Sequence, residues 1–107
     1  MNLNQLIKII ISALEDIKAN DIEILDVTKR ATIFDRMIIA SAVSTRQARA
    51  IANNVNDKVK ESGGRSYGTE GEGSGGWVLV DLGDVLVHIM LPAVRTHYDL
   101  EGLWSEL

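Results

Sequence analysis

Few residues in this chain could carry out chemistry, and their spacing does not form a catalytic constellation. There are two histidines, His88 and His97, and no cysteine, which excludes disulfides, thiolate metal sites and histidine-rich metal sites. Neither histidine lies beside a nucleophile in a recognisable motif. Asp81 and Asp84 are three positions apart, whereas two carboxylates on one strand face need a spacing of two, and Asp84 is better explained as a turn residue. We therefore expect a protein that is not an enzyme and that binds no metal or cofactor.

A glycine-rich segment formally contains a nucleotide-binding pattern. Residues 71–76 (GEGSGG) satisfy G-x-G-x-x-G. That motif normally follows a strand and opens a helix, whereas a strand follows it here, and Glu70 and Glu72 would repel phosphate. We interpret residues 63–76, in which 65–67 could form a short strand, as a flexible connector. A degenerate nucleotidyltransferase-like enzyme or nucleotide-binding protein is the alternative.

A predicted β-hairpin has two faces of different composition. Residues 77–82 and 85–91 read as strands, and Gly83-Asp84 fits a two-residue turn between them. With that turn, the side-chain period of two determines both faces. One face is aliphatic and is predicted to be core: Val78, Val80, Leu82, Val85, Val87 and Ile89. The other, which we call the mixed face, contains Trp77, Leu79, Asp81, Leu86, His88 and Met90.

The mixed face has the composition of a protein interface. Aromatic residues and methionine are enriched at interface centres, and tryptophan is a frequent hot spot. The alternative is that a C-terminal segment covers this face and that Trp77 is an ordinary core residue. The residues alone leave both interpretations open.

Hydrophobic periodicity and capping signals predict the remaining elements. Apolar residues at helical spacing indicate a helix over residues 3–19, and two further segments indicate strands over 21–28 and 37–43. Ser44 and Gln47 have the spacing of a capping box, so a second helix should begin near Thr45 and end at Gly63-Gly64. Asp99 should cap a final short helix with four residues on one face: Leu100, Leu103, Trp104 and Leu107.

These elements predict one α+β domain over residues 1–107, with a four- to five-stranded mixed sheet and helices packed on it. The strand at 37–43, the helix after it and the strand at 77–82 should form a right-handed crossover, which would make the two strands parallel. No repeat or linker divides the chain.

The charge pattern limits the classes of partner. The formal net charge is −4, and 11 basic residues are scattered among 15 acidic ones. Proteins that hold nucleic acid through phosphates need clustered Lys and Arg, so we expect little direct nucleic-acid contact. No apolar run is long enough to span a membrane, and no signal peptide is visible. We therefore expect a cytoplasmic protein without a membrane partner.

Several stretches resemble the Iojap family of ribosomal silencing factors. The resemblance is carried by MIIAS at 37–41 with STRQ at 44–47, by W-V-x-x-D-x-G-D-V-x-V-H at 77–88, and by R-x-x-Y-x-L-E-x-L-W at 95–104. It implies a nucleotidyltransferase-like fold without the catalytic residues, and a homodimer is possible. It also implies a protein that binds the large ribosomal subunit through its fourteenth ribosomal protein and sterically blocks the small subunit. Repression of translation would follow, with a possible role in late subunit maturation.

The resemblance favours the mixed face and its neighbours as the docking surface. Three residues would be apolar anchors: Trp77, Leu79 and Met90. Three would be polar partners: Asp81, His88 and Arg95. Tyr98 would adjoin them.

Overall fold

Residues 1–105, the part of the chain that the computed structural model describes, contain nine elements of secondary structure. In chain order they are α1 (Leu3–Asp16), β1 (Asn20–Asp26), β2 (Arg36–Ser41), α2 (Thr45–Glu61), β3 (Gly68–Glu70), β4 (Trp77–Asp81), β5 (Val85–Met90), α3 (Pro92–Tyr98) and α4 (Leu100–Ser105). The predicted α+β class is confirmed. Leu107, predicted to lie on the last helix, falls outside the described residues.

The strands form one mixed sheet in the order β1-β2-β5-β4-β3. β2 and β5 are parallel, and the other neighbouring pairs are antiparallel. The prediction that the strands at 37–43 and 77–82 are parallel is therefore wrong. After β2, α2 carries the chain across the sheet to β3 at the far edge, and two successive reversals then bring β5 next to β2. The strand parallel to β2 and bonded to it is thus the second strand of the hairpin.

One face of the sheet is covered by the two long helices. α1 begins at Asn2, whose side chain accepts a hydrogen bond from the Gln5 backbone N–H at 2.8 Å. α2 begins after Ser44, which accepts from the Gln47 backbone N–H at 3.0 Å, as its capping signal predicts. The aliphatic face of the hairpin lies in this core, with Val78 and Val80 fully buried. The predicted core face is confirmed.

A second, smaller apolar cluster lies on the opposite face of the sheet. Val27, Met37, Ile39 and Met90 are its buried members, and residues from the segment before β2 and from α3 and α4 pack around them. The two C-terminal helices therefore cover β2 and part of β5, and they leave the region over β4 more open. None of the helices in residues 1–105 has the length and apolarity that crossing a membrane would require.

Candidate functional site

The hairpin has the register that its sequence predicts. Leu79 lies opposite His88 and Trp77 lies opposite Met90. The turn is closed by a hydrogen bond from the Leu82 N–H to the Val85 carbonyl at 3.0 Å. Gly83 adopts a φ of 85°, a conformation that glycine takes without steric cost. The six residues of the mixed face therefore do share one side of the sheet.

The C-terminal helices divide the mixed face into a covered half and an open half. Met90 is fully buried in the second cluster, where Val94 and Leu100 pack beside it. Met90 was expected to be an apolar anchor for a partner, but its full burial places it in the protein's own core instead. The alternative of C-terminal cover is thus correct for the Met90 end of the hairpin, while Leu79 and Leu86 stay partly exposed.

Three rings form an aromatic cluster at the border between the two halves: Trp77, His88 and Tyr98. The indole Nε1–H of Trp77 donates a hydrogen bond to Nδ1 of His88 at 2.9 Å. The rings of Trp77 and Tyr98 lie 4.8 Å apart between centroids. Tyr98 is 55% exposed, Trp77 is half-buried and His88 is buried. Tyr98 is therefore the outer member of the cluster, positioned by α3, and His88 is the inner one.

His88 is held neutral by its surroundings. Burial lowers the pKa of His88 from 6.5 to about 4. Because Nδ1 accepts from Trp77, the neutral ring carries its proton on Nε2, and no hydrogen-bond partner for Nε2 is found among the described residues. The predicted role of His88 as a direct polar partner does not fit this burial. It supports Trp77 from beneath instead.

Arg95 is an internal tether rather than a free surface charge. Its guanidinium donates to the Ser41 hydroxyl at 2.8 Å and lies 3.4 Å from Glu101 and 3.7 Å from Glu23. Only 11% of its side chain is exposed. Arg95 therefore joins α3 to β1, β2 and α4. The expectation that it meets a partner directly is replaced by a role in holding the helix that carries Tyr98.

The two aspartates of the hairpin do not form a carboxylate pair. Asp81 accepts a hydrogen bond from the Gly83 N–H at 2.9 Å and so stabilises the turn. Asp84 lies in the turn itself and is exposed. Among residues 1–105, no group of three or more histidine, aspartate or glutamate side chains is arranged to hold a metal ion.

The open half of the mixed face borders a groove that the sequence did not reveal. Its apolar lining includes Leu79 and Leu86 from the hairpin, Ile33 and Phe34 from the segment before β2, and Tyr67 from the segment before β3. Asp81 and Gly83 complete this β4–β5 groove, whose volume is about 320 Å³. Ile33 and Tyr67 lie outside every periodic segment, so no local pattern could have identified them.

The end of the glycine-rich segment packs against the start of α2, whereas residues 71–74 are exposed. Gly75 is buried with a φ of 73°, and a Cβ atom placed on it would lie 2.7 Å from Cβ of Thr45. The guanidinium of Arg49 donates to the Glu72 carbonyl at 3.2 Å. Gly75 is therefore held against α2, while the flexibility of the rest of the segment stays a prediction. The short strand lies at Gly68–Glu70 rather than at 65–67.

Comparisons with known proteins agree with this fold. A family model described as ribosomal silencing factor during starvation matches residues 1–107. The ribosomal silencing factor RsfS of Chromobacterium violaceum is 54% identical over 105 residues, which cover 98% of this chain and 86% of that protein. A crystal structure of a Chromobacterium violaceum protein matches with a TM-score of 0.96 and 52% identity, over 100% of this chain and 89% of that one. Mitochondrial assembly of ribosomal large subunit protein 1 from Mus musculus is 32% identical over 102 residues, 92% of this chain and 45% of that protein.

Proposed function

The chain belongs to the family of ribosomal silencing factors, and from that premise we propose that it binds the large ribosomal subunit and blocks its association with the small subunit. The partner on the subunit is the fourteenth ribosomal protein, which the family resemblance implies. The consequence is repression of translation in the cytoplasm, without a catalytic step by this chain.

The observation that carries this proposal is the aromatic cluster on a rigid support. Tyr98 is 55% exposed and packs against Trp77 with the rings tilted by 50°, and Trp77 is in turn hydrogen-bonded to the buried His88. Rigid, partly exposed aromatic side chains lose little conformational entropy when a partner covers them, which is why they are frequent hot spots. The cluster therefore supports a protein–protein contact on this side of the sheet.

A steric block requires size and position rather than chemistry. The described part of the chain measures 34 × 33 × 21 Å along its principal axes. A rigid body of these dimensions on the face that the two subunits share would prevent their contact over a wide area. The charge distribution agrees with a basic ribosomal protein as the partner, because complementary charge speeds the association of two proteins.

A role in late maturation of the large subunit is a second proposal. It is supported by the name of the mouse relative, which refers to assembly of the ribosomal large subunit. Binding to an intersubunit surface would serve both roles, since it keeps an unfinished subunit out of translation. A homodimer, which the resemblance implies, stays a prediction that sedimentation equilibrium can test.

The deciding experiment is cosedimentation with separated subunits, followed by a subunit-joining assay. We expect the wild-type protein to pellet with large subunits and to reduce formation of the joined ribosome. Tyr98→Ala should weaken both effects, whereas Ile24→Ala, on the helix-covered face, should not. Equal pelleting with small subunits, or normal joining at saturating protein, would contradict the proposal.

A further inference from the structure

We propose that the β4–β5 groove is a second contact site, which receives one large apolar side chain from a positively charged segment of the docking protein. The inference rests on the proposed function for the identity of that protein. It concerns residues that lie beyond the aromatic cluster, on the other half of the mixed face. The shape of the groove, its apolar lining and its charged surroundings each support it.

The wall formed by Tyr67 is held in place although it is 58% exposed. The Arg65 guanidinium lies 5.0 Å from the centroid of the ring. The ring edge rests on Gly83, where an added Cβ atom would lie 2.9 Å from Cε2. Contact between an arginine and an aromatic face is attractive, and the missing side chain at position 83 leaves room for the ring. Tyr67 is therefore ordered before any partner arrives.

The opposite wall is also supported from behind. The Phe34 ring packs edge-on against Trp104 of α4, with 5.8 Å between centroids. Ile33 stands beside it and is 82% exposed. Leu79 and Leu86 form the floor on adjacent strands, and both are partly exposed. An exposed isoleucine beside an apolar floor with two ordered aromatic walls is suited to receive an apolar side chain.

The charges around the groove determine which occupant fits. Asp81 lines it, Asp84 lies in the adjoining turn, and Asp35 donates its backbone N–H to the Asp84 carbonyl at 2.7 Å. Glu70 lies on the neighbouring strand β3, next to Tyr67 and Leu79. The guanidinium groups near these four carboxylates are that of Arg65, over the Tyr67 ring, and that of Arg36, which pairs with Asp26 at 3.1 Å and whose backbone N–H also donates to the Asp84 carbonyl.

An acidic border of this kind selects a basic protein segment. A second copy of this chain would bring another net charge of −4, and RNA would bring phosphates, so both would meet repulsion. A segment with Lys or Arg on either side of a leucine, isoleucine or phenylalanine would bury its apolar side chain in the groove. Its cations would be attracted by the carboxylates at the border. Ribosomal attachment through protein rather than RNA follows from the same charges.

The first test is a pair of matched substitutions measured by large-subunit affinity. Ile33→Lys places a cation at the groove, and Ile24→Lys places the same cation on the opposite face, where Ile24 pairs with Ile38 of the main core and is 46% exposed. We expect Ile33→Lys to weaken binding at least about tenfold, as loss of an interface hot spot does, at an unchanged melting temperature. Ile24→Lys should stay within about twofold, which is the usual range for residues outside an interface.

The outcomes separate this inference from the proposed function. If the wild type binds large subunits and both lysine variants bind equally well, the groove is not a contact site, while the proposed function stands. If the wild type fails to bind large subunits, the inference and the proposed function are both contradicted. If Ile33→Lys converts a dimer into a monomer without loss of subunit affinity, the occupant is a second copy, and the inference is overturned.

The second test determines the charge of the occupant. Asp84→Asn removes one carboxylate and keeps a side chain that suits the turn. A basic occupant predicts weaker binding, by about two- to fivefold at low salt, as for loss of one charge at the border of an interface. Tighter binding of Asp84→Asn would identify an anionic occupant such as ribosomal RNA and would overturn the inference.

Discussion

Trp77 links the two halves of the mixed face because it has a buried neighbour on one side and an exposed neighbour on the other. Its indole N–H donates to His88, and its ring packs against the tilted ring of Tyr98. The side chain thus has little freedom, and movement of one member of the aromatic cluster would disturb the others. A partner that binds Tyr98 would therefore be affected by changes at the buried His88.

Val80 and Tyr98 should respond to truncation in opposite ways. Val80→Ala leaves a cavity in the main core, where Val80 is fully buried, and we expect a loss of about 2 kcal/mol in the free energy of unfolding. Tyr98→Ala should lower the melting temperature little and weaken large-subunit binding by about 2 kcal/mol, or roughly 30-fold. Thermal melting and cosedimentation measure the two effects. Unfolding of Tyr98→Ala with normal binding by the folded fraction would show that the cluster is structural.

His88 should make stability depend on pH over a defined window. Its folded pKa of about 4 lies below the ordinary value of 6.5, so the unfolded chain binds more protons between these values. The stabilising effect is present above pH 6.5 and is lost as the pH falls toward 4, by on the order of 3 kcal/mol. Chemical denaturation of wild type and His88→Gln at several pH values measures it. The difference between the two should change across this window, and a constant difference would contradict the assignment.

The glycine-rich segment is positioned by its contacts with α2. Residues 71–76 of the segment connect β3 to β4, and the contacts of Gly75 with Thr45 and of Glu72 with Arg49 hold them over the start of the helix. Glycine is needed where the backbone is both in the left-handed region and close to a neighbour. At Gly73, by contrast, an added Cβ atom would have nothing within 4 Å.

Gly75 and Gly73 provide a matched pair that tests this packing. Gly75→Ala should destabilise the fold by about 1–3 kcal/mol, because the added methyl group meets Thr45 and the φ of 73° is unfavourable for alanine. A Cβ atom on Gly73 has nothing within 4 Å, so Gly73→Ala should change stability by less than about 0.5 kcal/mol. Denaturant unfolding compares them. Equal stability of the two variants would mean that the segment is a free connector after all.

The tether through Arg95 connects the short C-terminal helices to the sheet. α3 has seven residues, too few for a stable isolated helix, so its position depends on tertiary contacts. The contacts of Arg95 with Ser41, Glu23 and Glu101 provide them. The exposed Tyr98 is thereby fixed through a residue that a partner does not touch.

For the whole molecule, salt dependence distinguishes docking on protein from docking on RNA. A protein that makes six to ten phosphate contacts loses affinity with a log–log slope of roughly −5 to −9. With a net charge of −4 and no basic cluster in its sequence, this chain should show a much shallower slope for large-subunit binding. Cosedimentation between about 50 and 200 mM salt, the range over which phosphate contacts show their effect, measures it. A slope as steep as that of phosphate binders would place the contact on ribosomal RNA.

The sequence determined those features that depend on neighbours along the chain. The register of the hairpin follows from alternation and from the Gly83-Asp84 turn, and the start of α2 follows from Ser44 and Gln47. Both are decided by interactions between residues a few positions apart. The split between the aliphatic face and the mixed face could therefore be predicted before any tertiary contact was known.

Only the tertiary structure decided which part of the mixed face a partner can reach. Met90 is buried because α3 and α4 fold back over the end of β5, and Arg95 is turned inward by carboxylates from β1 and α4. Ile33 and Tyr67 become two walls of one groove because the sheet order places their segments on either side of the hairpin. These outcomes depend on contacts between distant parts of the chain, which local hydrophobic periodicity does not predict.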